Sequence, residues 1–422
     1  MENTDVADSG RPSRRMRLAV VLAVVYIDML GLGLAYPILP KLIEQFEHGN
    51  TSSASYYYGL VACTYAAMQF LFAPFLGALA DRYGRRPVIL FALLGMATNY
   101  VFIAFAPSLI WLVVGRMVAG CMGATFSPAT AYVADITEPE RRAQSFGLIG
   151  AAFGLGFITG PAIGGFLGAV DLRLPFLAAG GLSLLNFFFG WFALVESLPP
   201  ERRKPFALSR ANPIGALREI GRYPAVVGLL VVFSIAQFAN RTGESIWVLY
   251  TSYRFGWGPL EVGVSLTALG VVYAVGQAGV TRIMIPALGE RRAILLGLCV
   301  SALVCIGYGL VPTGWMIYPL MVFILFGWTV AQPAVQALMS RAVPMNEQGL
   351  LQGALSSLNN LTNVAGPPFW TALFGYSISP RAPLVDPGAA FFLAAFVFFL
   401  AFAIAWRWLA APARIGIRAQ EA

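Results

Sequence analysis

Apolar stretches of about 20 residues recur along the whole chain, separated by short polar segments. Each stretch is long enough to cross the roughly 30 Å hydrocarbon core of a membrane as one helix. Only 11% of the 422 residues are charged, whereas soluble domains carry about 25%. The stretches lack the period-two alternation over about 10 residues that membrane β-barrel strands show. The sequence therefore predicts an all-α membrane protein with many spans.

The apolar stretches predict about twelve helices in two groups, each long enough to span a membrane. The first group is expected around 18–40, 58–80, 87–106, 109–133, 143–168 and 174–196. The second is expected around 224–252, 261–287, 292–312, 315–341, 349–377 and 388–410. This division predicts a tail over 1–17, an N-terminal bundle over 18–196, a polar, proline-rich linker over 197–223, a C-terminal bundle over 224–410 and a tail over 411–422.

The two groups repeat each other at an offset of about 205 residues. The segment from Gly59 to "DRYGRRPVIL" is matched by the segment from Gly263 to "GERRAIL". Gly160, in "FITGP", is matched by Gly366, in "NVAGP". Parallel halves of this kind are typical of transporters that bind a substrate between two bundles near the membrane midplane.

The formal net charge is +8, and the basic residues gather in alternate loops, including "RPSRRMR", "DRYGRR" and "EPERR". Because basic loops of bacterial inner-membrane proteins face the cytoplasm, both termini and the linker are expected there. Nucleic acid is not an expected partner. The sequence shows no P-loop, nucleophile–base set or metal cluster, so we expect neither an enzyme nor a cofactor.

The segment "GALADRYGRRPVIL" follows the second predicted helix. Gly77 permits a close helix approach, Gly84 permits a tight turn, and Asp81 can meet a helix N-terminus or an arginine. The segment resembles the loop signature of the major facilitator superfamily. That resemblance implies a conformational latch that breaks when the cytoplasmic side opens, with the candidate residues Gly77, Asp81, Arg82, Gly84, Arg85, Arg86 and Asp135.

The predicted fifth helix contains "GLIGAAFGLGFITGPAIGG". Glycines about one turn apart form a smooth face for close helix packing, and an internal proline removes a backbone hydrogen bond. The spacing resembles the fifth-helix signature of the drug/proton antiporter branch of the same superfamily, which implies export. The signature residues are Gly147, Gly156, Gly160, Pro161, Gly164 and Gly165.

Two charges lie at membrane depth in the first half, Asp28 in "VVYIDMLGLG" and Arg116 in "GRMVAGCMGA". Charges at such depth must face protein or water and find partners. The second segment is similar to the fourth-helix pattern of the antiporter branch. The resemblance implies that Arg116 influences proton binding and that Asp28 lies in the substrate cavity. A purely structural ion pair is the alternative for both residues.

"IDMLGLGLAYPILPKLI", "FGLGFITGPAIGGFLG" and "SIWVLYTSYRFGW" extend the likeness over nearly the whole chain. Together they resemble the tetracycline-resistance efflux group. Where that group carries an acid, a histidine and an aspartate, this chain has Asn99, Tyr273 and, by position, Ser301. His48, the single histidine, falls in a predicted loop. The proton relay that the resemblance implies for metal–tetracycline transport is therefore not expected intact.

The seventh predicted helix places Arg241 and Glu244 in an apolar segment, where the tetracycline group is apolar or amide-bearing. With Gln237 they form one polar stripe at i, i+4 and i+7. We expect Glu244 to replace a missing acidic group, either as proton acceptor or as ligand for a substrate cation. A purely structural Arg241–Glu244 pair is the alternative.

Further cavity candidates are polar or aromatic residues on membrane-length helices, although such side chains also bond helices together. They are Gln69, Asn99, Gln237, Tyr273, Gln277, Trp328, Gln332, Gln336, Asn359, Asn360 and Asn363.

The sequence thus predicts a monomeric major facilitator fold that exports an amphiphilic compound in exchange for protons by alternating access. Asp28, Glu244, Arg116 and Arg241 are the predicted proton-coupling residues. One alternative is an importer or facilitator of an organic anion, with Arg241 as the anchor. The other is a receptor or scaffold in the membrane that does not transport.

Overall fold

A computed structural model describes residues 13–123, 125–203 and 219–410. The predicted tail over 411–422, most of the tail over 1–17 and the middle of the linker over 197–223 lie outside these residues. Every regular element in the described part of the chain is helical.

The first half contains six spans, numbered here in chain order. Span 1 is Arg14–Ala35 continued by Leu39–Phe46, span 2 is Thr51–Tyr83, and span 3 is Arg85–Ala104. Span 4 consists of Leu109–Met122 and Phe126–Ile136, span 5 is Arg142–Val170, and span 6 is Leu174–Ala193.

The second half contains spans 7 to 12. Span 7 is Pro224–Phe255, and span 8 begins with Pro259–Val275 and a π-helical turn, Gly276–Val280. The helix Thr281–Leu310 is broken at Gly289, which ends span 8 and precedes span 9. Span 10 consists of Ile317–Ile324 and Trp328–Arg341, span 11 is Gln348–Ser377, and span 12 is Ala389–Leu409.

Ten segments of the described chain are long and apolar enough to cross a membrane. One of them, Pro259–Leu310, contains spans 8 and 9. Span 11 is not among the ten, because asparagines and glutamines lower its hydropathy, but its 30 residues suffice for a crossing. Each of the twelve predicted helices therefore has a helical counterpart in the structure.

The internal repeat is visible in the backbone. Gly84 and Gly289, 205 positions apart, both break a helix with positive φ angles of 108° and 74°. L-residues with a side chain rarely adopt this region, which favours glycine at both positions. Each break leads into the span that follows a basic loop, so the repeated sequence encodes a repeated turn.

The two halves touch at the end of the bundle remote from the basic loops. The Tyr36 hydroxyl donates to the Glu244 carbonyl oxygen at 2.6 Å, and the Thr267 hydroxyl donates to the Ile158 carbonyl oxygen at 3.0 Å. Gly165 also packs closely, because a Cβ placed there would lie 2.5 Å from the Pro259 carbonyl oxygen. Spans 5 and 8 are therefore in tight contact at this end.

The halves separate toward the basic end, the end of the bundle that carries Arg85 and Arg86. Gly154 and Gly147 continue the span 5 face of Gly165 and Ile158 at helical spacing. A Cβ on either glycine would nevertheless meet nothing within 4 Å. The space between the halves thus opens toward the basic end.

Candidate functional site

A central cavity of about 220 Å³ lies between the two halves. Spans 1, 2, 4, 5, 7 and 11 contribute its walls, so both halves contact whatever enters it. Its polar and aromatic lining consists of Tyr36, Tyr58, Tyr65, Gln69, Arg116, Phe157, Arg241, Glu244, Ser245 and Asn363.

The predicted stripe on span 7 forms a chain of hydrogen bonds that ends at Glu244. The Trp328 indole donates to Gln237 at 2.9 Å, and the Gln237 amide donates to Asn359 Oδ1 at 2.6 Å. Arg241 donates to the same Asn359 oxygen at 2.7 Å and also pairs with the Glu244 carboxylate. The side chain of Glu244 is 51% exposed, whereas that of Arg241 is 12% exposed. The pair is therefore anchored on the arginine side and accessible on the carboxylate side.

Glu244 also lines a second cavity of about 90 Å³ inside the C-terminal half, called here the C-half pocket. Tyr273 of span 8 and Ser301 of span 9 line the same pocket. These are two of the positions at which the chain departs from the group it resembles. The Glu244 carboxylate of span 7 thus lines the same pocket as the hydroxyl-bearing residues Tyr273 and Ser301.

Sequence reasoning missed several walls of the C-half pocket, including Trp247, Tyr308 and Phe391. Aromatic residues on apolar helices occur both in cores and at the membrane surface, so their spacing did not distinguish these walls. Asn240 was also missed, although it lies four residues before Glu244 and donates to its carboxylate at 3.5 Å. Its position one turn away on the same helix was the available signal.

Asp28 does not line the central cavity, which corrects the expectation from the resemblance. Its carboxylate is buried and accepts a hydrogen bond from the Thr125 hydroxyl at 2.6 Å. It faces a pocket of about 10 Å³ lined by apolar residues of spans 1, 3 and 4, because span 1 turns this side chain into the N-terminal half. Its proton-coupling role stays a prediction.

Arg116 does line the central cavity, but it does not pair with Asp28. Its guanidinium lies over the Tyr65 ring, 5.7 Å from the centroid, and its Nε has no hydrogen-bond partner. Among the described residues it forms no ion pair. A structural ion pair therefore does not explain this buried cation.

The other cavity candidates divide into two sets. Gln69 and Asn363 line the central cavity, and Tyr273 and Trp328 line the C-half pocket. The remaining candidates line neither cavity, namely Asn99, Gln237, Gln277, Gln332, Gln336, Asn359 and Asn360. Gln237 and Asn359 bond spans 7, 10 and 11 together, Asn99 is buried with its amide unpartnered, and Gln277 is exposed in the π-helical turn.

The predicted latch residues gather around Arg85 at the basic end. Its guanidinium pairs with Asp81 at 2.5 Å and with Asp135 of span 4 at 3.3 Å. Arg82 lies over the neighbouring Tyr83 ring, whereas Gly77 leaves room for a side chain, with Ser127 Oγ 3.8 Å from an added Cβ. These contacts lie within the N-terminal half and exist while the basic end is open. The latch role stays a prediction.

Glu196, which follows span 6, contacts two of the predicted latch residues and was missed by sequence reasoning. Its carboxylate accepts from the backbone N–H groups of Arg85 at 2.9 Å and Arg86 at 3.3 Å, capping the N-terminus of span 3. Arg86 in turn donates to the Trp191 carbonyl oxygen at 2.6 Å. A Cβ on Gly84 would lie 2.3 Å from Glu196 Oε2. An acid directly after an apolar helix was the available signal.

The fifth-helix glycines form the close packing face that their spacing predicts. A Cβ on Gly156 would lie 2.6 Å from the Tyr26 carbonyl oxygen, and one on Gly160 would lie 2.6 Å from the Gly33 Cα. Gly164 meets Leu34 in the same way, so this face packs on span 1. Pro161 lies within the uninterrupted helix, whereas Gly165 turns toward span 8 and Gly147 faces open space.

Comparisons with known proteins agree with this architecture. The sequence profile of the Major Facilitator Superfamily matches residues 21–367. The chain is 42% identical over 362 residues to the class C tetracycline resistance protein of Escherichia coli, covering 86% of this chain and 90% of that protein. It is 40% identical over 367 residues to the class G protein of Vibrio anguillarum, covering 85% of this chain and 91% of that protein.

A solved structure shows the same fold at low identity. The inward-facing, occupied structure of a bacterial homologue of the human lysosomal transporter Spinster has a TM-score of 0.76 at 16% identity, covering 96% of this chain and 99% of that one. With twelve spans in the described residues, arranged in repeated halves around a cavity, and a profile match over most of its length, the chain belongs to the Major Facilitator Superfamily.

Proposed function

We propose that the protein exports a tetracycline-like or other amphiphilic drug across a bacterial inner membrane in exchange for protons. The tetracycline resistance proteins to which it is similar support this substrate class. By the distribution of basic loops, the basic end faces the cytoplasm, and so do both termini. The central cavity then opens to the cytoplasm, the side from which an exporter loads.

The single observation that carries the proposal is the position of Glu244. This carboxylate is half exposed, lines the central cavity from span 7 and is paired with an anchored arginine. An ionisable group at membrane depth is costly and is typical of ion and substrate pathways. Because the carboxylate is reachable from the cavity, a proton and a substrate can compete for it.

Alternating access needs the closed end to open while the basic end closes. Spans 5 and 8 supply a glycine-lined contact at the closed end, where Gly165 meets Gly263. Span 7 carries both Glu244 and the carbonyl that Tyr36 of span 1 contacts. Movement at this contact would therefore shift the Glu244 carboxylate. Protonation of Glu244 would release Arg241, which retains Asn359 as a partner.

The test is pH-gradient-driven uptake of tetracycline into proteoliposomes containing the purified protein. Glu244→Gln keeps the shape of the side chain but cannot ionise, so we expect at least a hundredfold loss of gradient-driven accumulation. Glu219→Gln is the matched control, because Glu219 pairs with Arg222 outside the spans, and this variant should transport normally. Unchanged transport by Glu244→Gln would overturn the coupling role.

The organic-anion alternative retains one favourable observation. Arg116 lines the central cavity and forms no ion pair with described residues, so it can receive an anionic group. Proton symport of an anion would make the outside of proteoliposomes more alkaline on substrate addition. Drug export by antiport would not, so this measurement separates the two functions.

A further inference from the structure

The C-half pocket is not needed for the proton exchange proposed above. It lies among spans 7, 8, 9, 10 and 12, within one half, and shares only Glu244 with the central cavity. Its volume of about 90 Å³ exceeds the roughly 10–15 Å³ that one water needs. The pocket therefore has room for a group of several non-hydrogen atoms.

The walls of the pocket are mainly aromatic. Six rings line it, from Trp247, Tyr273, Tyr308, Trp328, Phe391 and Phe398. Trp247 and Tyr308 meet edge to face with centroids 5.3 Å apart, and Tyr308 and Phe391 meet similarly at 5.6 Å. Aromatic faces carry negative potential and attract cations, most strongly when the cation is desolvated.

The pocket offers few hydrogen-bond donors. The indole N–H of Trp247 donates to Ser265, and that of Trp328 donates to Gln237. The Ser301 hydroxyl donates to the Gly297 carbonyl oxygen. The Asn240 amide donates to Glu244, and two further hydroxyls belong to Tyr273 and Tyr308. Because aromatic rings and one carboxylate form most of the remaining wall, the pocket suits an alkyl-substituted cation better than an anion or a strongly hydrated ion.

Glu244 is the one charged residue among those that line the pocket. Its present partner, Arg241, approaches from span 7 itself and also bonds Asn359. An entering cation can therefore take over the carboxylate while the arginine keeps a partner. Negative charge at the mouth and aromatic faces behind it together define the site.

We propose that the C-half pocket binds the alkylammonium group of a cationic or zwitterionic substrate, with Glu244 as counter-ion and the aromatic rings as walls. This inference rests on the proposed export function and deepens it by specifying the substrate class. The larger remainder of the amphiphile lies in the central cavity, where Arg116 faces any anionic group it carries. Substrate and proton then share one carboxylate.

The test uses a matched pair of probes and calorimetric titration of the purified protein in detergent. Choline carries a trimethylammonium group, and 3,3-dimethyl-1-butanol has the same shape without the charge. We expect wild type to bind choline at least tenfold more tightly than the alcohol. Glu244→Gln should remove this preference.

Filling variants locate the site. Val304→Phe intrudes into the C-half pocket from span 9 and should weaken choline binding at least tenfold. Ala66→Leu intrudes into the central cavity alone and should leave choline binding within twofold. If Val304→Phe does not fold by size-exclusion and thermal assays, Ser301→Leu is the second filling variant.

Equal binding of choline and the alcohol would overturn the inference, and so would a greater loss in Ala66→Leu than in Val304→Phe. Failure of the proposed function looks different. In that case wild type shows no gradient-driven tetracycline transport but still prefers choline, and the pocket assignment stands. If wild type transports tetracycline but shows no preference for choline, the inference alone fails.

Discussion

At the basic end, each half has an ion pair that joins the start of one span to the end of the next. The acidic and basic partners are exchanged between the two halves. In the N-terminal half, Arg85 at the start of span 3 pairs with Asp135 near the end of span 4. In the C-terminal half, Glu290 at the start of span 9 pairs with Arg341 at the end of span 10. Arg85 and Glu290 are 205 positions apart, the offset of the repeat. The duplicated fold therefore constrains where an ion pair lies but not which side carries which charge.

The halves differ more within the membrane. The C-terminal half joins its two charges, Arg241 and Glu244, at a shared wall of two cavities. The N-terminal half separates its charges, since Arg116 faces the central cavity and Asp28 is bonded to Thr125 behind it. The position equivalent to Arg116 is Met321, which is fully buried. The two halves thus share a repeated backbone but carry their charged side chains at different positions.

The largest expected effect concerns the equivalent glycines Gly160 and Gly366. An added Cβ on Gly160 meets the Gly33 Cα at 2.6 Å, whereas one on Gly366 meets the Arg241 Cβ at 3.0 Å, so the overlap at Gly366 is smaller. We expect Gly160→Ala to lower the free energy of unfolding by about 3 kcal/mol and Gly366→Ala by about 1 kcal/mol.

Thermal unfolding in detergent measures both glycine variants. Gly150→Ala is the control, because its Cβ would meet nothing within 4 Å. Equal costs for Gly160→Ala and Gly366→Ala would mean that the two glycines are packed equally tightly, which contradicts the asymmetry between the halves.

The next effect compares the two ion pairs at the basic end. Arg85 is 11% exposed and serves two carboxylates, whereas Arg341 is 64% exposed and serves one. Arg85→Ala should destabilise the protein by about 2 kcal/mol, because two acids lose their shared cation. Arg341→Ala should cost about 1 kcal/mol, because it removes an exposed cation and only one acid, Glu290, loses its partner. Chemical denaturation would show the difference, and a larger loss for Arg341→Ala contradicts it.

Removing the unpaired cation tests the asymmetry at membrane depth. Arg116→Gln should raise the half-saturating concentration of tetracycline about tenfold, or about 1.4 kcal/mol, because the cavity loses the cation that faces an anionic group. Arg116→Lys keeps the charge and should recover part of the affinity. Transport assays in proteoliposomes measure both. An unchanged half-saturating concentration in Arg116→Gln would assign Arg116 to structure alone.

The smallest effect concerns the cap on span 3. Glu196 accepts from two backbone N–H groups at a helix N-terminus, so Glu196→Gln should cost about 1 kcal/mol. Glu201→Gln, an exposed change nearby, should cost nothing measurable. Thermal unfolding measures both variants, and equal stability would show that the charge of Glu196 does not stabilise the start of span 3.

The fold was predictable because its signals are local. A helix in lipid satisfies its own backbone, so stretches of sufficient apolar length predict every span without knowledge of neighbours. Glycine positions that need positive φ, such as Gly84, can likewise be recognised from a short motif. Span 11 was predicted over 349–377 although its asparagines lower its hydropathy. Asn359 bonds spans 7 and 11 together, and Asn363 lines the central cavity.

The site was predictable only in part. Sequence alone identified Glu244, Arg241 and Arg116 as unusual, since charges in apolar segments are expensive wherever the segments pack. Which of them meet could not be read from spacing, because contacts between helices depend on how each helix is rotated about its axis. The resemblance placed Asp28 in the central cavity, whereas the rotation of span 1 turns it into the N-terminal half.

The amino-acid sequence by itself determined the number of spans, the duplication, the basic end and the presence of charges at membrane depth. Only tertiary structure decided that Glu244 stands between two cavities, that Tyr273 and Ser301 surround it, and that Arg116 has no acidic partner. The physical reason is that span formation depends on transfer of one segment into lipid, whereas a cavity exists only where several helices fail to fill the space between them.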